Sequence, residues 1–408
     1  MRCGLLGEHL GHSYSPQIHA ELADYSYGLF EVAPDGLDTF LRSRRFDALN
    51  VTIPYKRTVV PYCAELSETA QKLGNVNTLV RRADGTLFGD NTDFYGFSWL
   101  LRRNGGIQPG EKALVLGTGG ASQTVQCVLR EQGARVVALS RSGENTYDTL
   151  ARHSDAVLVV NATPVGMYPN NGARLIDLDF LPNCRCVLDL IYNPARTRLL
   201  LDAEECGIRC EGGLPMLVAQ AKRAAERFTG AEIPDSRCED ILCKLQIQMQ
   251  NIILIGMPGC GKTTVGKLLA QRLNRPFFDA DAEIVKRLGC EIPEFFARAD
   301  EAAFRKVESE VLAELGKRSG CVIATGGGCV TRKENYPLLH QNGVIFWRKR
   351  ALDALPTDGR PISQSTDLTE LYAKRHALYA RFADHIVENT PTADAAAEQI
   401  MAVLSLHA

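Results

Sequence analysis

The sequence of 408 residues has no apolar run that could cross a membrane and almost no net charge. Its apolar runs, such as Ile252–Ile255, have the length of a strand, far short of the roughly 20 residues that a membrane span needs. Met1–Leu10 contains charged residues and lacks the apolar core of a secretory signal. The formal net charge of -2 provides no field that would attract nucleic acid or anionic membrane. We therefore expect a cytoplasmic protein with small-molecule partners, not nucleic acid or membrane.

The 13 cysteines are odd in number and scattered, so they do not suggest a disulfide framework. The close pairs Cys184/Cys186 and Cys206/Cys210 lack the spacing and the matching second half of a zinc site. We interpret the cysteines as reduced thiols that act as small core residues.

The length exceeds what one hydrophobic core usually supports, so we expect more than one folding unit. Short β-rich runs alternate with helical patterns, which favours an α/β fold with mostly parallel sheets. Pro234-Asp235-Ser236 is typical of a helix start, and a strand follows from Asn251. We place the boundary between the two halves near Gln248–Gln250.

A first glycine-rich turn lies between the strand-like run Ala113–Leu116 and a helical pattern, and it contains Gly117 and Gly119. This arrangement is typical of a Rossmann unit, which recognises the ribose of its cofactor at the end of the next strand. That strand ends in Ser140-Arg141, where an NAD enzyme would carry a carboxylate. A guanidinium can pair with a 2′-phosphate, so the sequence favours NADP. The alternative is that Arg141 is a solvated surface charge.

Several polar motifs surround this turn in a fixed order. They are Ser13-Tyr14-Ser15-Pro16, Asn50-Val-Thr52-Ile-Pro-Tyr-Lys56, Asn75-Val-Asn77-Thr78, Gly89-Asp-Asn91-Thr92-Asp93, Asn161-Ala-Thr163, Tyr192-Asn-Pro and Gly213-Leu-Pro-Met216 running to Gln220. The ordered set resembles shikimate dehydrogenase over residues 1–248. The resemblance implies a two-lobed enzyme, with a substrate lobe of residues 1–92 plus 214–248 and an NADP-binding Rossmann lobe of residues 93–213.

The resemblance also implies roles for individual residues. Reducing a ketone by hydride leaves an alkoxide that needs a proton donor, and Lys56 with Asp93 would form that catalytic pair. Either residue alone would be better interpreted as a surface lysine or a helix cap. Substrate hydroxyls and carboxylate would be bound by Ser13, Ser15, Thr52, Asn77, Asn91, Tyr192 and Gln220. NADP would be bound by Gly117, Gly119, Gly120, Ala121, Ser140, Arg141, Asn161, Thr163 and Gly213.

A second glycine-rich turn, Gly256-Met-Pro-Gly-Cys-Gly261-Lys262-Thr263, is a complete P-loop after an apolar strand. Its amides would cradle phosphates, Lys262 would neutralise the transferring group, and the Thr263 hydroxyl would coordinate Mg²⁺. The predicted ATP-binding residues are Gly259, Cys260, Gly261, Lys262, Thr263 and Thr264. The P-loop alone does not identify the phosphoryl acceptor.

The motifs after the P-loop narrow the choice of acceptor. They are Asp279-Ala-Asp281, Arg305-Lys-Val-Glu308, Thr325-Gly326-Gly327-Gly328, Gly359-Arg360-Pro361 and Lys374-Arg375 running to Tyr379. The set resembles shikimate kinase over residues 251–408, a P-loop domain with a parallel sheet flanked by helices. The resemblance implies that Asp279 holds Mg²⁺ through water, and that Asp281 hydrogen-bonds the attacking hydroxyl as its base or its orienting group. It further implies that Arg305, Glu308, Arg375 and the three glycines bind shikimate, while Arg360 stabilises charge from a lid.

The sequence departs from the resembled patterns at two places that matter below. Asn75 stands where a small residue is expected, and the chain between Phe346 and Arg360 is short. We predict a bifunctional enzyme of chorismate and aromatic amino acid biosynthesis, an NADP-dependent oxidoreductase joined to an ATP- and Mg²⁺-dependent kinase. Two alternatives stay open: a quinate/shikimate dehydrogenase fused to another small-molecule kinase, and a non-catalytic regulatory relative.

Overall fold

The computed structural model describes the whole chain except residues 12, 44, 353–354, 356–367, 389–391 and 407–408. The strands are β1 Arg2–Gly7, β2 Ser26–Glu31, β3 Ala48–Val51, β4 Cys63–Leu66, β5 Thr78–Arg81, β6 Leu87–Asp90, β7 Lys112–Leu116, β8 Arg135–Leu139, β9 Ala156–Asn161, β10 Cys186–Asp189, β11 Arg209–Glu211, β12 Asn251–Ile255, β13 Phe277–Asp279, β14 Val322–Ala324, β15 Gly343–Arg348 and β16 His385–Val387.

Helices alternate with these strands along most of the chain. The helices are α1 Ser15–Leu22, α2 Leu37–Arg42, α3 Glu68–Leu73, α4 Asp93–Arg103, α5 Gly120–Glu131, α6 Arg198–Glu205, α7 Leu214–Thr229, α8 Ser236–Met249, α9 Lys262–Leu273, α10 Ala280–Leu288, α11 Ile292–Phe296, α12 Glu301–Gly316, α13 Asn335–His340, α14 Leu368–Phe382 and α15 Ala393–Leu406. The α/β class is therefore confirmed. No helix within the described ranges is both long and apolar enough to span a membrane.

The chain divides into two compact units. The first comprises residues 1–165, 174–192 and 202–242, and the second comprises residues 166–173, 193–201 and 243–408. The last boundary between them falls within α8, the helix whose start the sequence predicted at Ser236.

The first unit contains two sheets. The six-stranded sheet has the order β2-β1-β3-β5-β6-β4, and β5 is antiparallel to both of its neighbours. The five-stranded sheet has the order β11-β10-β9-β7-β8, and all its pairs are parallel. Residues Ala113–Leu116 of β7 have no solvent exposure, as expected for an interior strand of a parallel sheet. The strand order reverses at β7, where ligands of such sheets usually bind.

The second unit contains one parallel sheet with the order β13-β14-β12-β15-β16. Its central strand β12 is fully buried, which explains the uninterrupted apolar sequence before the P-loop. The carboxyl ends of β12, β13 and β14 carry the P-loop, Asp279 and the three glycines respectively. The parallel pairing brings these three motifs to the same edge of the sheet.

Candidate functional site

The predicted catalytic pair of the first unit is in direct contact. Lys56 follows β3 and donates through Nζ to Asp93 Oδ2 at 2.6 Å. Asp93 is the first residue of α4, where a carboxylate also interacts favourably with the helix dipole. The Lys56 side chain keeps 32% of its exposure and Asp93 only 10%. A cation with one fixed carboxylate partner and a solvent-facing side suits a proton donor.

Asn77, which directly precedes β5, forms hydrogen bonds to the turn before α4 and to Gln220 on α7. Its Oδ1 accepts from the Thr92 backbone N–H at 2.7 Å, and its Nδ2 donates to Gln220 Oε1 at 3.3 Å. Asn77 is 3% exposed, so its amide orientation is fixed by these partners. Two predicted substrate-binding residues therefore lie next to the turn that leads to Asp93.

The predicted serine turn connects to the same region through an aromatic residue. The Ser13 hydroxyl accepts from the Ser15 N–H at 3.2 Å. Ser15 is in turn close enough to Tyr27 to influence its hydroxyl. Tyr27 donates to Asn50 Oδ1 at 2.8 Å, and Asn50 Nδ2 reaches Thr78 Oγ1 at 3.4 Å. Asn50 and Tyr27 are thus polar members of this network to which the sequence had assigned no role.

Two further predicted substrate-binding residues are only partly enclosed. Thr52 lies directly after β3 and donates its backbone N–H to Leu6 O at 2.9 Å. Tyr192 packs edge-on against Tyr14, with ring centroids 6.1 Å apart. Burial raises the pKa of Tyr192, so the hydroxyl stays protonated and can donate a hydrogen bond.

Asn91 is the most enclosed of the predicted substrate-binding residues, with 2% exposure. Its Nδ2 donates to Asn75 Oδ1 at 2.6 Å, and its Oδ1 is buried without a hydrogen-bond partner among the described residues. Its strongest contact is therefore to another protein residue, Asn75, which the sequence had marked only as a departure.

The glycine-rich turn after β7 presents the open N-terminus of α5. Gly117 has a φ of 101°, and a Cβ there would lie 2.7 Å from Thr163 Cγ2, so only glycine fits. A Cβ on Gly119 or Gly120 would meet nothing within 4 Å, which leaves space in front of the helix amides, including that of Ala121. This space and the helix dipole fit a pyrophosphate.

The end of β8 provides a cation where an NAD enzyme would carry a carboxylate. Ser140 donates its backbone N–H to Asn145 O at 3.1 Å, and its hydroxyl makes a short bond to Ser142 O. The exposed Arg141 lies near Tyr147. An exposed guanidinium at this position fits a 2′-phosphate better than a free ribose hydroxyl.

The remaining residues predicted to bind NADP lie at the same edge of the sheet. Asn161 ends β9 and donates through Nδ2 to Asp189 Oδ2 at 3.0 Å, while its Oδ1 accepts from Thr163 Oγ1 at 2.8 Å. Gly213 precedes α7, and a Cβ there would lie 2.1 Å from Leu190 O. These contacts fix the loops that flank the turn after β7.

In the second unit, one cavity of about 700 Å³ collects the predicted kinase residues. Its lining includes Gly259, Gly261, Lys262, Thr263, Thr264, Asp279, Asp281, Arg305, Glu308, Gly326, Gly327, Gly328 and Arg375. The P-loop and the predicted acceptor pocket therefore open into one space. Cys260 is almost fully buried beneath the loop.

Lys262 is held inside the P-loop by neutral groups. Its Nζ donates to Gly256 O at 2.9 Å and to Met257 O at 3.0 Å. The residue is 8% exposed, so its charge is partly desolvated, and among the described residues its Nζ bonds to these carbonyls and to Cys260 Sγ at 3.8 Å. A phosphate is the natural partner for such a charge.

Thr263 and Asp279 form a pair suited to a divalent cation. Thr263 Oγ1 donates to Asp279 Oδ2 at 2.7 Å, and Asp279 Oδ1 accepts from the Asp281 N–H at 3.0 Å as the N-cap of α10. Within the described ranges no cluster of three His, Cys, Asp or Glu side chains could hold a metal. The pair fits Mg²⁺, which keeps several waters and uses few protein oxygens.

A buried ion pair lies on α12 at the other end of the cavity. Arg305 Nη1 donates to Glu308 Oε2 at 2.8 Å, and Arg305 Nη2 donates to the exposed Glu301 at 2.8 Å. Burial raises the pKa of Glu308, whereas on Arg305 the carboxylates outweigh the effect of burial and raise the pKa. Glu308 Oε1 has no hydrogen-bond partner among the described residues. The pair can hold a guanidinium in place for a small carboxylate.

The three glycines bring backbone against these charged groups. A Cβ on Gly328 would lie 2.1 Å from Arg305 Nη1, and one on Gly326 would lie 2.8 Å from Asp281 Oδ1. Arg375 on α14 donates to Gly327 O at 3.2 Å. A side chain on Gly326 or Gly328 would therefore have to displace these charged groups, whereas a Cβ on Gly327 would lie 2.6 Å from Pro258 Cδ.

The segment that joins β15 to α14 contains two arginines, Arg350 and Arg360, and the structure describes only Arg350. Arg360 lies outside the described residues. Arg350 lines the cavity beside the P-loop, and the sequence had not singled it out as a binding residue. Its position two residues after β15 was the available signal, because parallel sheets place ligands at the carboxyl ends of their strands.

The comparisons with known proteins match the first and second halves of the chain to two different families. The family model for shikimate kinase matches residues 258–405, and the one for the shikimate dehydrogenase substrate binding domain matches residues 5–79. The NADP(+) shikimate dehydrogenase of Clostridium beijerinckii is 36% identical over 244 residues, covering 55% of this chain and 90% of the relative. That of Methanopyrus kandleri is 37% identical over 264 residues, covering 57% and 91%.

Solved structures give the same result for the first half. The chorismate mutase/shikimate 5-dehydrogenase fusion protein from Clostridium acetobutylicum matches with a TM-score of 0.57 and 35% identity, covering 60% of this chain and 96% of that chain. Shikimate 5-dehydrogenase from Thermus thermophilus, in complex with NADP(H) and shikimate, matches with a TM-score of 0.55 and 32% identity, covering 60% and 99%.

Proposed function

Because this chain belongs to the shikimate dehydrogenase family and also carries a match to the shikimate kinase family, we propose that it is a bifunctional enzyme of the shikimate pathway. The first activity reduces 3-dehydroshikimate to shikimate with NADPH. The second transfers a phosphoryl group from ATP to shikimate and yields shikimate 3-phosphate. The product of the first reaction is the acceptor of the second.

The observation that carries the dehydrogenase proposal is the contact between Lys56 and Asp93 at 2.6 Å. NADPH, when bound, supplies the hydride that reduces the ketone. Lys56 then gives a proton to the developing alkoxide oxygen, and Asp93 holds the ammonium group in a fixed orientation. Asn77 and Gln220 orient the ring through its hydroxyl groups, and the Ser13–Ser15 turn binds the carboxylate. The helix amides after Gly119 and the Arg141 guanidinium hold the two phosphate regions of the nucleotide.

The kinase proposal is supported by the shared cavity of the P-loop and the Arg305–Glu308 pair. Arg305 and Arg375 bind the carboxylate of shikimate, and Glu308 keeps Arg305 in place. Asp281 orients the attacking hydroxyl, while Lys262 stabilises the charge on the transferred group. Thr263 and Asp279 would hold Mg²⁺, which neutralises phosphate charge when bound. By resemblance to shikimate kinase, Arg360 would stabilise charge on the transferred group.

The two alternative functions left open by the sequence are not favoured. The relatives are named as NADP(+) shikimate dehydrogenases, and the family model over the second half is that of shikimate kinase, not of another kinase. Lys56 also contacts Asp93 in the first site, and Arg305 contacts Glu308 in the second. Such contacts are unexpected in a relative that has lost its catalytic activity. We further propose that the protein acts in the cytoplasm on free small-molecule substrates.

Separate assays of the two reactions on the purified protein test this function. We expect NADPH consumption that depends on 3-dehydroshikimate, and ATP consumption that depends on shikimate and Mg²⁺. Asp93→Asn should abolish mainly the first and Asp281→Asn mainly the second, so each variant controls for the folding of the other. Absence of either activity in the wild-type chain would contradict the corresponding half of the proposal.

A further inference from the structure

Asn75 joins the two chain segments that carry the dehydrogenase pair. The backbone N–H of the next residue, Val76, donates to Lys56 O at 2.7 Å. The Asn75 side chain accepts through Oδ1 from Asn91 Nδ2 at 2.6 Å. Asn91 lies two residues before Asp93. One short segment is therefore bonded on one side to Lys56 and on the other to the turn that presents Asp93.

The orientation of the Asn75 amide is determined by its surroundings. Its Nδ2 donates to Leu73 O at 3.1 Å, and a carbonyl oxygen can only accept. Oδ1 must therefore face Asn91, which leaves Asn91 Nδ2 as the donor. Asn75 is 5% exposed and Asn91 2%, so water cannot replace this bond without opening the turn.

Two bonds of Asn77 also hold the turn before Asp93, but they do not replace the bond between Asn75 and Asn91. Asn77 N donates to Asp90 O at 3.0 Å, and Asn77 Oδ1 accepts from Thr92 N at 2.7 Å. These bonds hold the backbone of the turn. Asn75 supplies the short bond to its side chains, since the other contact of Asn91 Nδ2, to Asn75 O, is 3.4 Å long.

We infer that Asn75 is a positioning residue for the dehydrogenase reaction, which it serves by holding, through Asn91, the turn that aims Asp93 at Lys56. The inference rests on the proposed dehydrogenase activity and adds a residue to it. Asn75 touches neither substrate nor nucleotide in this assignment. Its loss should therefore slow the proton-transfer step without weakening nucleotide binding.

The test compares Asn75→Ala, Asn91→Ala and the double variant with the wild-type chain. We expect Asn75→Ala to lower the dehydrogenase kcat about tenfold while the KM for NADPH stays within about twofold, because small misplacements of reacting groups are costly. The solvent deuterium isotope effect on kcat should rise as proton transfer becomes slower. The double variant should be no slower than Asn91→Ala, since Asn75 acts through Asn91.

Two controls make the outcome decisive. Kinase activity of the same chain should be unchanged, and Asn183→Ala, which removes an exposed side-chain bond to Ser154 O, should leave both activities unchanged. A wild-type kcat in Asn75→Ala, additive losses in the double variant, or a parallel loss of kinase activity would overturn the inference. An inactive wild-type dehydrogenase would instead contradict the proposed function itself.

Discussion

The two lysines at the centres of the two sites are held in opposite ways. Lys56 has a carboxylate partner at 2.6 Å and a side chain that is 32% exposed. Lys262 is 8% exposed and donates to two backbone carbonyls at 2.9 and 3.0 Å. The first lysine is charge-neutralised and oriented, as a proton donor requires. The second bonds to neutral groups among the described residues, which leaves its positive charge available to a phosphate.

The largest effect is expected on the dehydrogenase rate when Lys56 is removed. Lys56→Ala removes the proton donor, so we expect the dehydrogenase kcat to fall about 10²–10⁴-fold. The kinase rate of the same chain should not change, because Lys56 and the P-loop belong to different compact units. Steady-state rates of both reactions on one preparation measure this. A dehydrogenase that keeps most of its rate would rule out Lys56 as the donor.

The next largest effect is expected on the kinase rate when Lys262 is removed. Lys262→Ala removes the charge that faces the transferred group, and we expect a kinase kcat about 10²–10³-fold lower. The dehydrogenase rate should be unchanged. Lys267→Ala, an exposed lysine on the same helix, is the matched control and should behave as wild type. Equal losses in the two lysine variants would show that the effect comes from the helix and not from the site.

A smaller effect concerns the difference between the P-loop, which contains Lys262, and the glycine-rich turn after β7. The turn after β7 has no lysine of its own, so Arg141 at the end of β8 should contribute the main charge that selects the nucleotide. We expect Arg141→Ser to raise the KM for NADPH about tenfold and to leave that for NADH nearly unchanged. Arg152→Ser, at another exposed arginine of this unit, should change neither. A parallel rise for both nucleotides would exclude recognition of the 2′-phosphate by Arg141.

The last effect concerns the stability of the first unit and not a reaction rate. His19 stacks on Tyr27 with ring centroids 4.0 Å apart, and burial lowers the pKa of His19 from 6.5 to about 3. Because the unfolded chain binds the proton more readily, the free energy of unfolding should fall as the pH drops below about 6.5. The loss is about 1.4 kcal/mol per pH unit down to the folded-state pKa.

Hydrogen exchange of α1 and β2 amides at several pH values measures this stability locally. His19→Phe keeps a flat ring among its aromatic neighbours and should flatten the pH dependence. His9→Gln, at an exposed position, should leave it unchanged. A pH dependence that persists in His19→Phe would assign the effect to another group.

Much of the fold could be predicted because its signals are local. The P-loop, the apolar strand before it and the helix after it are contiguous in sequence, and the closing helix begins at Ser236 as expected. The first sheet is different. That β4 pairs in parallel with β6 at its edge depends on contacts between distant segments, and alternating side chains do not encode a pairing partner.

In the two sites as well, contacts between distant segments were harder to predict than local motifs. The Lys56–Asp93 contact could be expected from two motifs with known partners, and the structure brings the two residues together. The contact between Asn75 and Asn91 could not, because nothing in a sequence shows that two asparagines 16 residues apart are both buried and share one bond. Arg350 was equally hidden, since a run of basic residues after a strand is more often a solvated surface.

The central claim is that each half of the chain supplies a complete active site. Mixing the Lys56→Ala and Lys262→Ala proteins with 3-dehydroshikimate, NADPH, ATP and Mg²⁺ tests it most directly. We predict that neither variant alone forms shikimate 3-phosphate at an appreciable rate, and that the mixture does, because shikimate made by one protein is phosphorylated by the other. A mixture as inactive as its components would contradict the account.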